Sequence, residues 1–215
     1  MKRGLLCFDL DGTLIDSRGD IAASVSFALV SLGANSVSKE KVTSMVGAGL
    51  LKTVEMAVND SGFFIDVTKA KELTVDYYGK NPVVFTYMYE GVKEGLKKLY
   101  ESGFVIALFS NKLQHLCEKI LEILEIRDYF TYIIGALSGY EMKPNPQAVH
   151  FMLNNSNSPA NHSYMIGDSD IDMETGYNAG IKLCLAAYGY GEAGRFKPDI
   201  IANSFDEFVG RILKI

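Results

Sequence analysis

The sequence predicts an α/β protein: a Rossmann-like parallel-sheet core with a helical segment inserted after its first strand. Short apolar segments recur along the chain without the alternation of a half-exposed strand, which is typical of strands buried on both faces of a parallel sheet. Helical periodicity separates these segments, and this alternation favours a parallel sheet with right-handed crossovers. Residues 17–79 show helical periodicity alone and therefore stand apart from the core.

The core begins with a strand predicted at residues 4–8. Asn145 is expected to cap a helix that begins at Pro146, and Ser204 with Glu207 matches the capping box of the last helix. The other core strands are predicted at 104–109, 132–134, 164–166 and 183–186, with another short strand after Pro198. The core helices are predicted near 92–103 and 113–124, from 146 onward, after the strand at 164–166 up to about Ala179, and from 204 onward.

The inserted segment is predicted to hold four helices, because its apolar residues recur at helical spacing and no strand interrupts them. Asn81-Pro82 breaks this pattern. We therefore predict a four-helix cap over residues 17–81 and an α/β catalytic core built from residues 1–16 and 82–215. The cap's two connections to the core suggest a hinge that opens and closes over the site.

Composition narrows the possible partners and the location. The 215 residues carry a net charge of -5, whereas a nucleic-acid-binding surface would be basic. Three widely spaced cysteines argue against a disulfide framework and favour a reducing cytoplasm. The first apolar run is too short for a signal peptide, and no later stretch is long enough to span a membrane. We expect a cytoplasmic protein without nucleic-acid or membrane partners.

Polar side chains follow four of the predicted strands at the points where each strand ends. In an open parallel sheet, ligands bind outside the carboxyl ends of the strands, so these side chains are expected to share one crevice. They are Asp9, Asp11 and Thr13 after the first strand, Ser110 and Asn111 after the second, Lys143 after the third and Asp168 after the fourth.

The residue types in this crevice indicate phosphoryl transfer. Several carboxylates a few ångströms apart cannot all stay ionised unaided, and a divalent cation with oxygen ligands, magnesium rather than zinc, resolves this. Ser110 and Lys143 offer donors suited to phosphate oxygens. A metal, a cation and a carboxylate nucleophile are what transfer through an aspartyl-phosphate requires. The carboxylates belong to Asp9, Asp11, Asp168 and Asp172.

The chain resembles the haloacid dehalogenase-like phosphatases in four motifs, which occur in that superfamily's order. The inserted segment resembles its small helical cap. Tyr188-Gly189-Tyr190-Gly191, after the fifth strand, is similar to the phosphoglycolate phosphatase-like branch. The four motifs are Asp9-Leu10-Asp11-Gly12-Thr13-Leu14-Ile15-Asp16-Ser17, Ser110-Asn111, Lys143-Pro144-Asn145-Pro146 and Gly167-Asp168-Ser169-Asp170-Ile171-Asp172.

This resemblance implies a role for each acidic residue. Asp9 would be the nucleophile and a ligand of Mg²⁺. Asp11 would protonate the leaving oxygen and then activate water, and its backbone carbonyl would bind the metal. Asp168 would be a metal ligand, and Asp172 either a ligand or a residue that supports one.

The resemblance also implies the substrate class and the groups that bind it. Ser110, Asn111 and Lys143 would bind the phosphoryl group of a small phosphorylated metabolite, a phosphoglycolate-like phosphomonoester, and Lys143 would also restrain Asp9. In the cap, Lys52 is a candidate for the anionic end of the substrate, and its alternative role is that of a solvated helix residue.

Two other patterns in the sequence suggest a dinucleotide site and a calcium site, and both are rejected. Residues 189–194 match the dinucleotide pattern G-x-G-x-x-G, but Pro198 and a short strand follow in place of a helix. Residues 168–172 resemble the start of a calcium-binding EF-hand loop, whose required glycine is replaced by Met173.

Three other functions stay open. A phosphomutase would use Asp11 as well. A phosphonate hydrolase would carry a lysine near Lys52, but those enzymes lack the aspartate at Asp11. A phosphate-binding or receiver-like signalling protein would combine an acidic cluster with a lysine, although a receiver would be shorter and would lack the helical insertion.

Overall fold

The computed structural model describes residues 3–47 and 49–214. They form two compact units along the chain. One contains the residues up to Asp16 and those from Met88 onward, and the other is Ser17–Tyr87. Within the described residues, no helix combines the length and the apolar character needed to cross a membrane.

A six-stranded parallel sheet forms the centre of the first unit, and its strand order is β5-β4-β1-β6-β7-β8. The predicted α/β fold with a parallel sheet is thereby confirmed. The strands are β1 (Leu5–Phe8), β4 (Val105–Leu113), β5 (Tyr132–Ala136), β6 (Tyr164–Gly167), β7 (Lys182–Ala186) and β8 (Ile200–Ala202), while β2 (Ile15–Asp16) and β3 (Tyr87–Met88) form a separate two-stranded sheet.

The second unit consists of helices α1 (Arg18–Ser31), α2 (Lys39–Thr43), α3 (Leu50–Ser61) and α4 (Val67–Lys80). Phe27 of α1 stacks on Tyr77 of α4 with ring centroids 4.4 Å apart. The unit continues past residue 81, where the predicted cap ends, because the carboxylate of Asp20 in α1 accepts hydrogen bonds from the returning chain. The donors are the backbone N–H groups of Val84, Phe85 and Thr86 and the Thr86 hydroxyl.

The helices of the first unit are α5 (Val92–Glu101), α6 (Gln114–Ile123), α7 (Gln147–Ser156), α8 (Asp170–Asn178) and α9 (Phe205–Ile212). Together they bury the central strand β1, all of whose side chains are inaccessible to solvent. Phe8 packs against Phe205 and Phe208 of α9, and Cys7 belongs to a cluster with Met152 of α7. Burying each such side chain contributes roughly 1.5–3 kcal/mol, so β1 is a rigid base for the residues that follow it.

One helix start and one helix cap differ from the prediction. Helix α7 begins at Gln147, one residue after Pro146, although the Asn145 side chain still accepts the Gln147 N–H at 2.9 Å. In α9, Ser204 accepts the Glu207 N–H, but the Glu207 carboxylate accepts from Asn203 in place of Ser204, so the predicted reciprocal capping box is wrong.

The role of Asp20 in the second unit is open to test. In Asp20→Ala, three buried or partly buried N–H groups and one hydroxyl lose their acceptor, and we expect the free energy of unfolding to fall by about 2–4 kcal/mol. Asp20→Asn keeps one acceptor oxygen and should lose less. Urea denaturation followed by circular dichroism measures both. Asp76→Ala, which removes an exposed pair with Lys80 in the same unit, is the control. Equal stability of Asp20→Ala and Asp76→Ala would contradict this assignment.

Candidate active site

The predicted site residues of the core converge at the carboxyl ends of neighbouring strands. Asp9 follows β1 directly, and Asp168 follows β6 on one side of it. Ser110 and Asn111 lie in the last part of β4 on the other side, and Lys143 lies in the loop after β5. All five side chains are buried.

Three carboxylates form a cluster that fits a metal ion. One oxygen from each of Asp9, Asp168 and Asp172 lies within 4.8 Å of the others. Burial raises the pKa of Asp9 to about 6, against the opposing charge of Lys143. Burial also raises the pKa of Asp168 to about 7, and the charges of Asp172 and Asp9 add to the shift. A divalent cation takes oxygen ligands of this kind and would relieve the repulsion among them.

Lys143 neutralises part of this cluster. Its Nζ donates to Asp9 Oδ1 at 2.7 Å and to Asp172 Oδ1 at 2.6 Å. Burial alone would disfavour the ammonium form, but the carboxylates of Asp172 and Asp9 outweigh it and raise the pKa of Lys143. The lysine is therefore a fixed positive charge in contact with the candidate nucleophile.

Asn111 holds the backbone of Lys143. Its Oδ1 accepts the Lys143 N–H at 2.9 Å, and its Nδ2 donates to the Lys143 carbonyl at 3.3 Å. The sequence assigned Asn111 to the phosphoryl group, and that contact stays a prediction. Positioning the lysine is a role that the sequence did not reveal, because Asn111 in β4 and Lys143 in the loop after β5 are 32 residues apart in the chain.

The carboxylate of Asp11 forms an ion pair with a different lysine, Lys112. Lys112 Nζ donates to both of its oxygens, at 2.8 and 2.9 Å. Among the described residues, the carboxylate group that could hold a metal does not include Asp11. The predicted ligation through the Asp11 backbone carbonyl stays a prediction. The sequence did not reveal Lys112 as a residue of the site, although it directly follows Ser110-Asn111 at the end of an apolar strand.

Ser110 belongs to a strand and caps no helix. Helix α6 begins at Gln114, and the Ser110 hydroxyl accepts the Lys112 N–H at 3.3 Å. Ser110 is buried in β4, which pairs with β1, and its contact with phosphate stays a prediction.

The glycine-rich segment after β7 binds Asp168. Asp168 Oδ2 accepts the N–H groups of Tyr190 at 3.0 Å and Gly191 at 2.9 Å. A Cβ on Gly189 would lie 2.4 Å from the Asp168 Cβ, and one on Gly12 would lie 2.1 Å from Asp168 Oδ2. The glycines therefore permit close backbone approach to a carboxylate. The G-x-G spacing after a strand was the available signal.

Asp172 is fixed by its own helix. It is the third residue of α8, where its Oδ2 accepts both the N–H and the hydroxyl of Ser169, and the Ser169 hydroxyl in turn accepts the Asp172 N–H. With Oδ1 on Lys143, both oxygens of Asp172 already have partners. The resemblance left two roles open for Asp172, that of a metal ligand and that of a residue that supports one. These contacts favour the supporting role.

Lys52 belongs to the second unit. It lies in α3 with its side chain 58% exposed and donates to Glu55 at 3.0 Å. An exposed pair at this spacing is ordinary for a helix surface. The contact of Lys52 with substrate stays a prediction.

Comparison with known proteins agrees with this geometry. A sequence model of the haloacid dehalogenase-like hydrolases matches residues 6–186. The chain is 36% identical over 209 residues to a phosphoglycolate phosphatase of Aquifex aeolicus, covering 95% of this chain and 94% of that protein. It is 34% identical over 214 residues to the phosphoglycolate phosphatase of Vibrio parahaemolyticus, with the same coverage.

A solved structure shows the same fold over nearly the whole chain. The crystal structure of a predicted phosphoglycolate phosphatase from Haemophilus somnus superposes with a TM-score of 0.90 at 27% identity, covering 98% of this chain and 99% of that one. The motifs, the parallel sheet and these matches lead to one conclusion: the chain belongs to the haloacid dehalogenase-like hydrolase family, in its phosphoglycolate phosphatase-like branch.

Proposed function

We propose that this protein is a magnesium-dependent phosphatase that hydrolyses a small phosphorylated metabolite, a phosphomonoester of the phosphoglycolate type, through an aspartyl-phosphate on Asp9. The observation that carries the proposal is the buried Asp9 carboxylate, held by Lys143 and adjacent to Asp168 and Asp172. Family membership and phosphatase relatives support the reaction class. The substrate type follows the relatives' names and is a proposal for this chain.

In the first step, the free carboxylate oxygen of Asp9 attacks phosphorus while Lys143 fixes Oδ1. The bond from phosphorus to the ester oxygen breaks, and the protonated Asp11 gives its proton to that oxygen, which leaves as the alcohol. Lys143 and Ser110 bind the phosphoryl oxygens, with Lys143 as a point charge and Ser110 as a neutral donor.

In the second step, Asp11 takes a proton from water, the water oxygen attacks phosphorus, and the bond to Asp9 breaks. Inorganic phosphate leaves and the Asp9 carboxylate is restored. Asp9 and Asp168, supported by Asp172, are the residues that would hold Mg²⁺, since a set of hard oxygen ligands suits it better than zinc. When bound, the ion supplies positive charge that offsets the carboxylates and the phosphoryl oxygens.

The competing functions are less well supported. Phosphonate hydrolases of this family lack an aspartate at the position of Asp11, which is present here. A receiver would lack the inserted helical unit. A phosphomutase would share Asp11, and the phosphatase relatives favour hydrolysis.

We propose further that the segment predicted at 17–81 acts as a cap over the site, with Lys52 as a candidate substrate contact. The cytoplasmic location also stays a prediction.

The nucleophile assignment is tested by Asp9→Asn. The amide is nearly isosteric but is a poor nucleophile and carries no charge for a metal, so phosphate release should fall by several orders of magnitude. Phosphate release from 2-phosphoglycolate and from p-nitrophenyl phosphate is the measurement. Asp170→Asn, a change at an exposed acid two residues after Asp168, should leave activity near that of the wild type. A tenth of wild-type activity in Asp9→Asn would rule out the mechanism.

The metal assignment is tested by exchange. Magnesium should activate the protein stripped by chelator, and calcium should bind yet inhibit, because calcium takes 6–8 ligands at longer distances and could occupy both oxygens of Asp9. Magnesium should also raise the melting temperature of the wild type, since it binds only the folded state, and Asp168→Asn should lose that shift. Full activity with calcium or in excess chelator would count against the assignment.

The acid role of Asp11 is tested by varying the leaving group. In Asp11→Ala, kcat/KM for 2-phosphoglycolate should fall by about 10²–10⁴-fold, because its alkoxide needs a proton to leave. The value for p-nitrophenyl phosphate should fall much less, since its leaving phenolate is stable without one. If both substrates slow equally, Asp11 does not act as the acid.

A further inference from the structure

We propose that Lys112 is a positioning residue for the reaction: it orients the carboxylate of Asp11, and a bulge in β4 delivers it to that carboxylate. The inference rests on the proposed function, in which Asp11 transfers the protons. None of the motifs that identified the site includes Lys112, and the two steps written above do not use it.

The contact between Lys112 and Asp11 is short, two-pronged and enclosed. The ammonium lies 2.8 Å from one oxygen of Asp11 and 2.9 Å from the other. The lysine side chain is 2% exposed and the aspartate 14%. A lysine is rarely buried to this degree unless it is paired. Contact with both oxygens fixes the direction of the carboxylate, and one contact can persist when the other oxygen carries a proton.

Two lysines contact three of the four carboxylates of the site. Lys143 contacts Asp9 and Asp172, whereas Lys112 contacts Asp11. Asp11 follows Asp9 by two residues, and in a crowded acidic site its side chain could turn toward the same cation. The contact with Lys112 holds it apart from the cluster of Asp9, Asp168 and Asp172. The nucleophile and the proton-transfer group therefore each contact a lysine of their own.

A local irregularity of the sheet places Lys112 on Asp11. Phe109 pairs with Ile134 and Leu113 pairs with Ala136, so residues 110–112 of β4 oppose the single residue Gly135 of β5. Bulges of this kind redirect side chains beside active sites.

Gly135 and Gln114 hold this bulge in place. A Cβ on Gly135 would lie 2.7 Å from the Lys112 carbonyl oxygen and 2.7 Å from the Gln114 Cα. The Gly135 N–H donates to Gln114 Oε1 at 2.6 Å, and the Gln114 amide also donates to the Ile133 carbonyl at 3.1 Å. Any side chain at Gly135 would displace the backbone that carries Lys112.

The test measures kcat/KM for an alkyl and an aryl phosphate, because kcat/KM covers the steps up to release of the first leaving group. In Lys112→Met, the value for 2-phosphoglycolate should fall on the order of 10²-fold, the cost of a misplaced catalytic group, and that for p-nitrophenyl phosphate by less than about threefold. Lys112→Arg should recover most of the loss, since a guanidinium also donates to both carboxylate oxygens. Lys93→Met, which removes an ion pair with Glu125 in the same unit, is the control and should match the wild type.

A second measurement separates positioning from other roles. In the Asp11→Ala background, Lys112→Met should cause little further loss, because the residue it orients is already gone. The same loss in both backgrounds, or an equal fall for both substrates, would overturn the inference and make Lys112 a phosphate ligand or a fold residue.

If Lys112→Met does not fold, Gly135→Ala takes its place, since it displaces the bulge and removes no ionisable group. It should reproduce the selective loss for 2-phosphoglycolate, and an unselective loss would overturn the inference. The proposed function has its own test. It is contradicted if hydrolysis of the two esters survives Asp9→Asn. It is also contradicted if the wild type hydrolyses neither ester, and that outcome would overturn the inference as well.

Discussion

Concentration of negative charge at the carboxyl end of β1 is the constraint on which the rest of this structure depends. Four carboxylates occur there, and burying them without partners would be prohibitively costly. Each has its own compensation. Asp9 and Asp172 share Lys143, Asp11 has Lys112, and Asp168 accepts two backbone N–H groups. The remaining excess of negative charge makes this cluster suited to a divalent cation.

Holding these charged side chains requires the backbone to approach them very closely. Glycine occurs at the points of closest approach because a Cβ would not fit there. Gly12 and Gly189 both border Asp168, and Gly135 borders the backbone of Lys112. At Gly12 the backbone is also in the left-handed region, with φ near 85°. The charges of the site are therefore arranged by the shape of the chain at these glycines as much as by the charged residues themselves.

The sequence predicts which residues follow the strand ends and therefore lie near one another. It does not predict which side chains pair with each other across long distances in the chain. Strand ends and residue type were enough to identify Asp9, Lys143 and Asp168 as neighbours, because all strands of a parallel sheet end at one edge. No local pattern pairs Lys112 with Asp11 across the sequence. The hydrogen bonds from Val84 and Thr86 to Asp20 could not be predicted for the same reason, since the partners lie more than 60 residues apart in the chain.

The residues assigned to the chemistry all belong to one compact unit, and this bears on how specificity can arise. Attack, proton transfer and phosphoryl binding are assigned to side chains of the sheet's carboxyl edge, whose positions are fixed by the buried strand β1 and its neighbours. The candidate for the rest of the substrate, Lys52, lies in the other unit as an exposed helix residue paired with Glu55. Substitutions on such a surface cost little stability, whereas those at the sheet edge disturb buried charges. If Lys52 contacts the substrate as proposed, substrate preference can change in the helical unit while the sheet keeps the reaction constant.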